Sequence, residues 1–336
     1  MIKAVPFDLA TLKTRGAGVS VEDHVSTGNG NASGRVSALL TRAGGLVFHT
    51  GEARRRLVWV DRNGATTPAF DEPRAFDFLR LSPDGRQAAV VIATANNSDV
   101  WVLDLASGTL TRVTRTGQTR SVAWSADGRR VFFISTHGGR AEFWWQAADG
   151  SGQPVKAGTP PHNPWWADVS PDRQTVIYNA LADASWKIES LSLDAHQDVT
   201  DLATAPLVGF GRFSPDGAWV AYSSNETGRE EIYVRPISQT GGRVQVSTNG
   251  GRRPIWSADG RELFFREGGQ VMSATLARDS SIRVVSRQRL FGGEFDADFD
   301  VSKDGRFLMI QREPLGLTLV VVPDWLTELR RLTGAK

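Results

Sequence analysis

The tetrapeptide Ser82-Pro83-Asp84-Gly85 recurs in related form five more times along this chain of 336 residues. The later copies keep the serine and the aspartate: they are Ser125-Ala126-Asp127-Gly128, Ser170-Pro171-Asp172-Arg173, Ser214-Pro215-Asp216-Gly217, Ser257-Ala258-Asp259-Gly260 and Ser302-Lys303-Asp304-Gly305. Successive serines lie 43 to 45 residues apart. A near-constant period of this size, with a turn at a fixed place in each unit, is typical of a β-propeller built from four-stranded blades.

We call these six tetrapeptides the anchor turns. Their composition suits a tight hairpin, because serine bonds to its own backbone, proline presets φ, and glycine takes a positive φ without strain. The aspartates and glycines therefore have a structural role that needs no catalysis: Asp84, Gly85, Asp127, Gly128, Asp172, Asp216, Gly217, Asp259, Gly260, Asp304 and Gly305. Arg173 stands where the other turns have glycine, and a left-handed arginine costs about 1 kcal/mol or more. We therefore expect a locally altered turn at Arg173.

Apolar runs of strand length flank each anchor turn, as residues 78–81 and 88–92 do around the first one. These runs are rich in β-branched and aromatic residues. Two more strand-like segments follow each hairpin, so that each unit has four strands. Clear blades are predicted over 77–116, 119–158, 164–204, 207–248 and 252–291. A degenerate unit, 36–76, precedes them, and the last unit, 296–322, contains only three strands.

The repeat accounts for the whole chain, so we predict a single all-β propeller domain over residues 1–336. Seven blades fit the units best, and six or eight remain open, depending on how the ends close. The N-terminal strands within 1–24 are expected to supply the outer strand missing from the last blade, because closure removes exposed sheet edges. Residues 323–333 are predicted to form a short amphipathic helix capped by Asp324.

Composition limits the partners that this chain is expected to have. It carries 39 basic and 37 acidic side chains, a balance that argues against a nucleic-acid partner. It has no cysteine, which excludes disulfides and thiolate metal sites. The first residues predict neither a signal peptide nor a membrane span, and Arg54-Arg55-Arg56 is interpreted as a solvated hairpin tip. We expect a monomer without a cofactor and without membrane insertion, while its compartment stays open.

The third and fourth strands of the first clear unit carry a family pattern. Asp99-Val100-Trp101-Val102-Leu103-Asp104-Leu105, followed by residues 108–114, resembles the WD-repeat-like propeller repeat of TolB-type proteins, whose consensus also contains the Ser-Pro-Asp-Gly hairpin. Three further segments, 4–8, 57–64 and 322–329, resemble the C-terminal propeller region of bacterial serine/threonine protein kinases and Tol-like proteins. The resemblance covers essentially the whole chain and implies the propeller fold.

The resemblance also implies a function and a location. In such kinases a kinase domain and a membrane span precede the propeller, which implies a periplasmic or extracytoplasmic sensor region that binds proteins. The chain itself contains no His-Arg-Asp loop, Asp-Phe-Gly motif or glycine-rich phosphate loop. Two interpretations therefore remain open, a free-standing propeller and the C-terminal part of a longer receptor kinase.

First strands of propeller blades line a central channel, so the residue two positions before each anchor serine is expected to face that channel. These residues are Arg80, Ala123, Asp168, Arg212, Ile255 and Asp300. Four charges at one position would be costly if they were buried unpaired, so we expect Arg–Asp pairs across a wet channel.

The loops at the channel entrance add a second group of candidate binding residues: Arg74, Arg120, His162, Trp165, Trp166, Arg252, Arg253 and Asp296. Arginine and aromatic residues together are typical of protein-binding hot spots. We therefore predict that this face binds a protein or peptide. A place in the core between blades remains the alternative for Trp165 and Trp166.

An enzymatic function is the competing interpretation, as a carbohydrate lyase or hydrolase or a peptidase-associated propeller acting at the channel mouth. Asp296, Asp298 and Asp300 alternate and would share a strand face, which is a weak pattern for calcium. A histidine-bound metal would need several histidines at the channel, and of the five only His162 is suitably placed. No Gly-x-Ser-x-Gly elbow occurs. We therefore predict a binding module with no catalytic or metal-ligating residue.

Overall fold

The computed structural model of the chain describes residues 2–4, 7–8, 11, 13–14, 19–22, 38–50, 55–93, 97–238, 242–278, 281–312 and 318–333. The chain forms two compact units, one made of Met1–Arg54 with Glu313–Lys336, and the other of Arg55–Arg312. The first unit begins with six short strands: β1 (Ile2–Ala4), β2 (Phe7–Asp8), β3 (Lys13–Thr14), β4 (Val19–Glu22), β5 (Ala38–Leu40) and β6 (Leu46–Thr50).

The second unit is the propeller. It starts with β7 (Arg55–Val60) and β8 (Thr66–Pro68), and five blades of four consecutive antiparallel strands follow. Blades 1 to 3 are β9 (Phe76–Leu81), β10 (Gln87–Ala93), β11 (Ser98–Asp104) and β12 (Leu110–Arg112); β13 (Thr119–Trp124), β14 (Arg130–Ser135), β15 (Glu142–Ala147) and β16 (Val155–Gly158); β17 (Pro164–Val169), β18 (Thr175–Ala182), β19 (Ser185–Ser192) and β20 (Val199–Ala205). Blades 4 and 5 are β21 (Val208–Phe213), β22 (Trp219–Ser224), β23 (Glu231–Pro236) and β24 (Val244–Gln245); β25 (Arg252–Trp256), β26 (Glu262–Glu267), β27 (Gln270–Arg278) and β28 (Ile282–Gly292).

Blade 6 closes the ring with strands from both ends of the second unit. Its inner strands are β29 (Phe295–Val301) and β30 (Phe307–Arg312), and its outer strands are β7 and β8. Strand β30 pairs with β7 over its full length, from Phe307 opposite Val60 to Arg312 opposite Arg55. The innermost strands β9, β13, β17, β21, β25 and β29 contact one another in this order around the ring, and β29 returns to β9. Each innermost strand therefore contacts the innermost strands of two neighbouring blades, as closure of a propeller requires.

The predicted all-β propeller of four-stranded blades is confirmed, and its blade number in the described residues is six, the smaller of the open alternatives. The seventh unit expected over 36–76 is not one sheet, because β5 and β6 join a separate three-stranded sheet while β7 and β8 complete blade 6. The closing strands expected within 1–24 are also wrong: β1 pairs with β4, and β2 pairs with β3. The propeller therefore occupies Arg55–Arg312, and five sheets lie where the clear blades were predicted.

The C-terminal part of the first unit contains β31 (Thr318–Val322) and the helix α1 (Trp325–Thr333). Strand β31, expected as the third strand of the last blade, instead pairs with β6 in the order β31-β6-β5. The predicted C-terminal helix is confirmed, and the backbone N–H of Thr327 donates to Asp324 Oδ1 over 3.4 Å as expected of a cap. Trp325 on this helix is buried together with Leu46 and Phe48.

The six anchor turns have the same geometry. In the five copies from Ser82 to Ser257 the serine hydroxyl donates to the aspartate two residues later over 2.5–2.7 Å. This hydroxyl is the main reason that the pKa of Asp84 and its counterpart Asp127 lies below its usual range. Arg173 adopts φ 63°, and its N–H donates to Ser170 O over 2.8 Å, as the glycine of the first turn does with Ser82 O over 2.8 Å. The altered turn predicted at Arg173 is therefore wrong, because the arginine takes the left-handed conformation.

Replacing Arg173 by glycine is expected to raise the free energy of unfolding by about 0.5–1 kcal/mol, since glycine removes the left-handed strain but adds freedom to the unfolded chain. Urea unfolding measures the change. Arg173→Ala is the matched control, because alanine loses the exposed ion pair with Asp127 but keeps the strained backbone. A glycine variant no more stable than the alanine variant would contradict the expected strain.

Candidate functional site

All six innermost strands of the propeller are interrupted by a β-bulge about halfway along their length. Three of the bulges place a non-glycine residue at positive φ: Ser121 at 54°, Phe210 at 57° and Arg253 at 53°. Each such residue costs roughly 1–3 kcal/mol of strain, and bulges of this kind re-aim side chains next to functional sites. Because the bulge recurs in every innermost strand, it changes the direction of side chains at the same level all around the channel.

Two rings of side chains line the channel, one at the level of this bulge and one between the bulge and the anchor turns. The central ring lies four residues before the anchor serines and consists of Phe78, Ser121, Trp166, Phe210, Arg253 and Asp298. The anchor-side ring lies two residues before them and consists of Arg80, Ala123, Asp168, Arg212, Ile255 and Asp300. The four charged residues that the sequence placed in the channel all lie in the anchor-side ring, and they line a common cavity.

Trp166 fills the channel at the level of the central ring. The guanidinium carbons of Arg80, Arg212 and Arg253 lie 4.5, 4.4 and 5.3 Å from the centre of its indole ring. The rings of Phe78 and Phe210 meet it edge-on, each at 5.4 Å. Trp166 is only 4% exposed, and three cations against one indole form a cation–π cluster. The sequence offered the entrance face or the core between blades for this residue; the structure places it in the channel, against residues of blades 1, 4 and 5.

Carboxylates of the two rings connect neighbouring blades. Asp298 of blade 6 contacts Arg80 Nη1 at 3.3 Å and Arg253 Nη1 at 3.1 Å. It also accepts the backbone N–H of Leu79 in blade 1 over 2.9 Å. Asp298 is 3% exposed; its single negative charge is shared between the buried Arg80 and the partly buried Arg253, and it holds blade 6 to blade 1.

The anchor-side ring repeats this arrangement. Asp168 of blade 3 contacts Arg212 at 3.1 Å and accepts the N–H of Phe213 in blade 4 over 3.0 Å. Asp300 accepts the N–H of Leu81 over 2.8 Å. The expected pair within this ring therefore exists between Arg212 and Asp168, whereas Arg80 is paired with Asp298 in the ring above.

Burial shifts the protonation of several channel groups. It raises the pKa of Asp168 to about 6 and raises that of Asp300. It also raises the pKa of Asp77, on the bulge of β9, to about 6, although the positive charge of Arg55 opposes the shift. Burial lowers the pKa of Arg253. Burial thus raises the pKa of two carboxyls, those of Asp77 and Asp168, to about 6.

Two of the predicted entrance residues, Arg120 and Trp165, contact each other. The Arg120 guanidinium lies 4.9 Å from the Trp165 ring centre. Both side chains are half-buried, and they come from the first strands of blades 2 and 3. Burial lowers the pKa of Arg120, and within the described part of the chain its side chain has no hydrogen bond or ion pair. Arg120 is therefore a partly desolvated cation whose contact is a neutral ring.

The other predicted entrance residues are engaged in local ion pairs. Arg74 pairs with Glu72, and Arg252 pairs with Glu230. His162 Nδ1 lies 2.8 Å from the buried Glu189. Asp296 is held by Arg55 at 2.7 Å and by Arg312 at 2.5 Å, while Arg253 has joined the central ring.

Sequence reasoning missed three features of this site. Asp77 was not selected, Trp166 was not placed at the channel centre, and Asp298 was considered only for calcium. The signal was available, since Trp166 and Asp298 lie two residues before predicted channel positions on the same strand face. Arg55, interpreted as part of a solvated tip, is 7% exposed and donates to Phe76 O. Among the described residues no group of three or more His, Cys, Asp or Glu side chains could hold a metal ion; His24 lies outside those residues.

The raised pKa of Asp77 predicts that this residue lowers the free energy of unfolding as pH rises. Between about pH 4 and 6 the folded protein binds more protons at this carboxyl than the unfolded chain, so its contribution makes the free energy of unfolding fall as pH rises. Asp77→Asn is expected to remove the contribution of this carboxyl and so lessen the slope, part of which Asp168 also supplies, and to stabilise the protein by up to about 2 kcal/mol at pH 7. Chemical unfolding at several pH values measures it, with the exposed Asp201→Asn as control. An unchanged slope in Asp77→Asn would contradict the assignment.

No protein-family model matches the chain, and no curated protein sequence matches it. A protein assigned as TolB from Agrobacterium tumefaciens has a similar structure, with a TM-score of 0.62 and 19% identity over 79% of this chain and 100% of that one. A chain of a Nidogen/Laminin complex is similar with a TM-score of 0.53 and 14% identity, over 77% of this chain and 98% of that one.

An oligogalacturonate lyase from Vibrio parahaemolyticus is also similar, with a TM-score of 0.50 and 8% identity over 80% of this chain and 75% of that one. At these identities the likeness concerns the fold. The chain is a β-propeller, and its fold is similar to that of TolB. Among the described residues there is no helix with the length and apolar character needed to cross a membrane.

Proposed function

We propose that this propeller is a non-catalytic module that binds a protein or peptide segment at the entrance of its channel. The observation that carries the proposal is the contact between Arg120 and Trp165. The module acts as a TolB-like scaffold or as the sensor region of a bacterial receptor kinase, outside the cytoplasm.

The chemistry of Arg120 indicates what the partner presents. Burial has already removed part of the water around this guanidinium, as the lowered pKa reflects. A carboxylate from a partner would therefore form a charge-assisted hydrogen bond to a cation that is already partly desolvated, so less desolvation free energy opposes binding. Trp165 adds a flat apolar face beside it. An acidic residue next to an apolar one is the peptide feature that this pair suits.

The position of the pair also suits binding. Arg120 pairs with Ile134 in blade 2, and Trp165 lies at the bulge between Pro164 and Trp166, which are both paired in blade 3. Tryptophan and arginine are over-represented among residues that carry most of the energy of protein interfaces. Side chains held on rigid strands lose little additional freedom when a partner binds.

Similarity to other propellers gives general support. The chain resembles TolB and a chain of a Nidogen/Laminin complex, a structure whose name is that of an assembly of proteins. The enzyme alternative is represented by the similarity to oligogalacturonate lyase at 8% identity, which concerns the fold. His162, the residue on which that alternative depends, is held by Glu189.

The proposal is tested by selecting peptides from an unbiased displayed library on the purified chain and measuring the affinity of the enriched sequences. We expect enriched peptides to contain an acidic residue beside an apolar one. Arg120→Glu and Trp165→Ala are each expected to weaken their binding by at least about 30-fold, the size of a hot-spot loss. The control is Arg261→Glu, at an arginine whose side chain is 82% exposed. Unchanged affinity in both entrance variants would refute the assigned face.

A further inference from the structure

We propose that the outermost strand of blade 5, β28, is a docking edge for an extended acidic segment of a partner protein, which adds to the blade as a further strand. The partner segment carries acidic residues two positions apart, opposite Arg287 and Arg289. The docking edge belongs to blade 5, whereas Arg120 and Trp165 belong to blades 2 and 3. This second surface is therefore independent of the binding face proposed above.

Strand β28 differs from the other outermost strands in length. It spans 11 residues, whereas the outermost strands of the other five blades have two to seven. It is the last strand of its sheet, and β27 is the one described strand with which it pairs. Its outward backbone N–H and C=O groups therefore face no strand within the described part of the chain. An edge of this kind is a template for pairing with another extended segment.

A regular stretch of β28 lies between two bulges. Val285 and Leu290 have no partner in β27, while the residues between them pair one-to-one with β27, from Ser286 opposite Thr275 to Arg289 opposite Met272. Every residue of this stretch is exposed. Bulges disrupt a ladder of hydrogen bonds, so the added strand is expected to pair along 286–289 rather than along the whole of β28.

Two arginines give this edge its charge. Arg287 and Arg289 lie opposite Ala274 and Met272, which both pack towards blade 4, so the two arginines share one face of the strand. Arg287 Nε donates to the carbonyl oxygen of Val246, next to β24 of blade 4. Arg289 has no hydrogen bond or ion pair with a described residue. No carboxylate of the described chain forms an ion pair with either guanidinium group, so the face presents two unneutralised positive charges.

These charges decide which partner the edge accepts. A second copy of β28 would place arginines opposite arginines, and like charges directly across neighbouring strands destabilise their pairing. Side chains on one face of a strand repeat every two residues. A partner segment with acidic residues at alternating positions therefore places a carboxylate opposite Arg287 and another opposite Arg289. Each carboxylate then forms a charge-assisted hydrogen bond with its guanidinium group.

The experiment measures the binding of a fluorescently labelled, threonine-rich peptide with two glutamates at alternating positions to the purified full chain. We expect saturable 1:1 binding, accompanied by slower amide hydrogen exchange within 286–289. The same peptide with its glutamates at adjacent positions is expected to bind at least about threefold more weakly, because one carboxylate then points away from the arginine face.

A matched pair of variants tests the arginine face. Arg289→Gln and Gln288→Glu change the net charge equally, but residues 288 and 289 lie on opposite faces of the strand, and both are exposed. We expect Arg289→Gln to weaken binding by about three- to fivefold, the effect of losing one exposed ion pair. Gln288→Glu is expected to change the affinity by less than about twofold. Equal weakening by the two variants would indicate attraction by net charge alone and would overturn the proposal.

Methylation of the peptide backbone tests the pairing itself. N-methyl groups on alternate residues remove the N–H donors from one edge of an extended peptide. We expect one of the two alternating patterns to abolish binding and the other to preserve it, because only one edge of the peptide pairs with β28. Arg120→Glu is expected to bind the peptide as the unmodified chain does. The proposal is overturned if there is no saturable binding, if neither methylation pattern has an effect, or if Arg120→Glu abolishes binding.

Discussion

Replacing Asp298 by alanine is expected to lower the free energy of unfolding by about 3–5 kcal/mol, as loss of one partner from a buried ion pair does. Asp298 is the carboxylate shared by Arg80 and Arg253, which are themselves buried or nearly so. Without the Asp298 carboxylate, the positive charges of Arg80 and Arg253 would remain in the channel with less negative charge opposite them. The N–H of Leu79 would also lose its acceptor. Chemical denaturation of the purified chain measures the change.

Two controls separate the buried charge from other effects of the substitution. Asp298→Asn keeps an oxygen that can accept the N–H of Leu79, so we expect a smaller loss than with alanine. Asp201→Ala breaks an exposed pair with Lys187 and is expected to cost about 1 kcal/mol or less. A loss in Asp298→Ala no greater than that in Asp201→Ala would show that the channel pair contributes little.

Replacing Trp166 by alanine is expected to destabilise the propeller by about 3–5 kcal/mol, the range for large aromatic residues removed from a packed interior. The indole contacts Phe78 and Phe210 by its edges and supports three guanidinium groups. The cavity left in its place would separate residues of blades 1, 4 and 5. Thermal and urea unfolding measure the loss.

Trp165 provides a natural comparison for this prediction, since it is the adjacent residue on the same strand but is half-buried. Trp165→Ala is expected to cost clearly less stability than Trp166→Ala while affecting the entrance face. Trp166→Phe keeps an aromatic ring for the arginines and should lie between the unmodified chain and the alanine variant. Equal stability of the two alanine variants would be inconsistent with a central role for Trp166.

The aspartates of the channel connect neighbouring blades. Asp168, Asp298 and Asp300 each accept a backbone N–H from the next blade, so they stabilise the ring directly.

Local chemistry was sufficient to predict the repeating part of the molecule. The serine, aspartate and glycine of an anchor turn specify a hairpin within a few residues, and the apolar runs beside it specify two strands. Five blades therefore lie where the spacing of the turns placed them, and the C-terminal helix begins beside its predicted cap at Asp324. The channel positions two residues before each serine followed from the same spacing, because side chains on a strand alternate.

Closure of the ring and the pairing of the channel charges were decided only by the tertiary structure. Residues 57–60 and 319–322 are both apolar β-type runs, so composition does not tell which of them pairs with β30. In the structure β7 does so, while β31 pairs with β6. Arg80 pairs with Asp298, 218 residues away, and a bulge in every first strand shifts the alternation that a regular strand would follow. Strand partners, register and ion pairs across a ring depend on contacts between distant segments, and no local pattern records them.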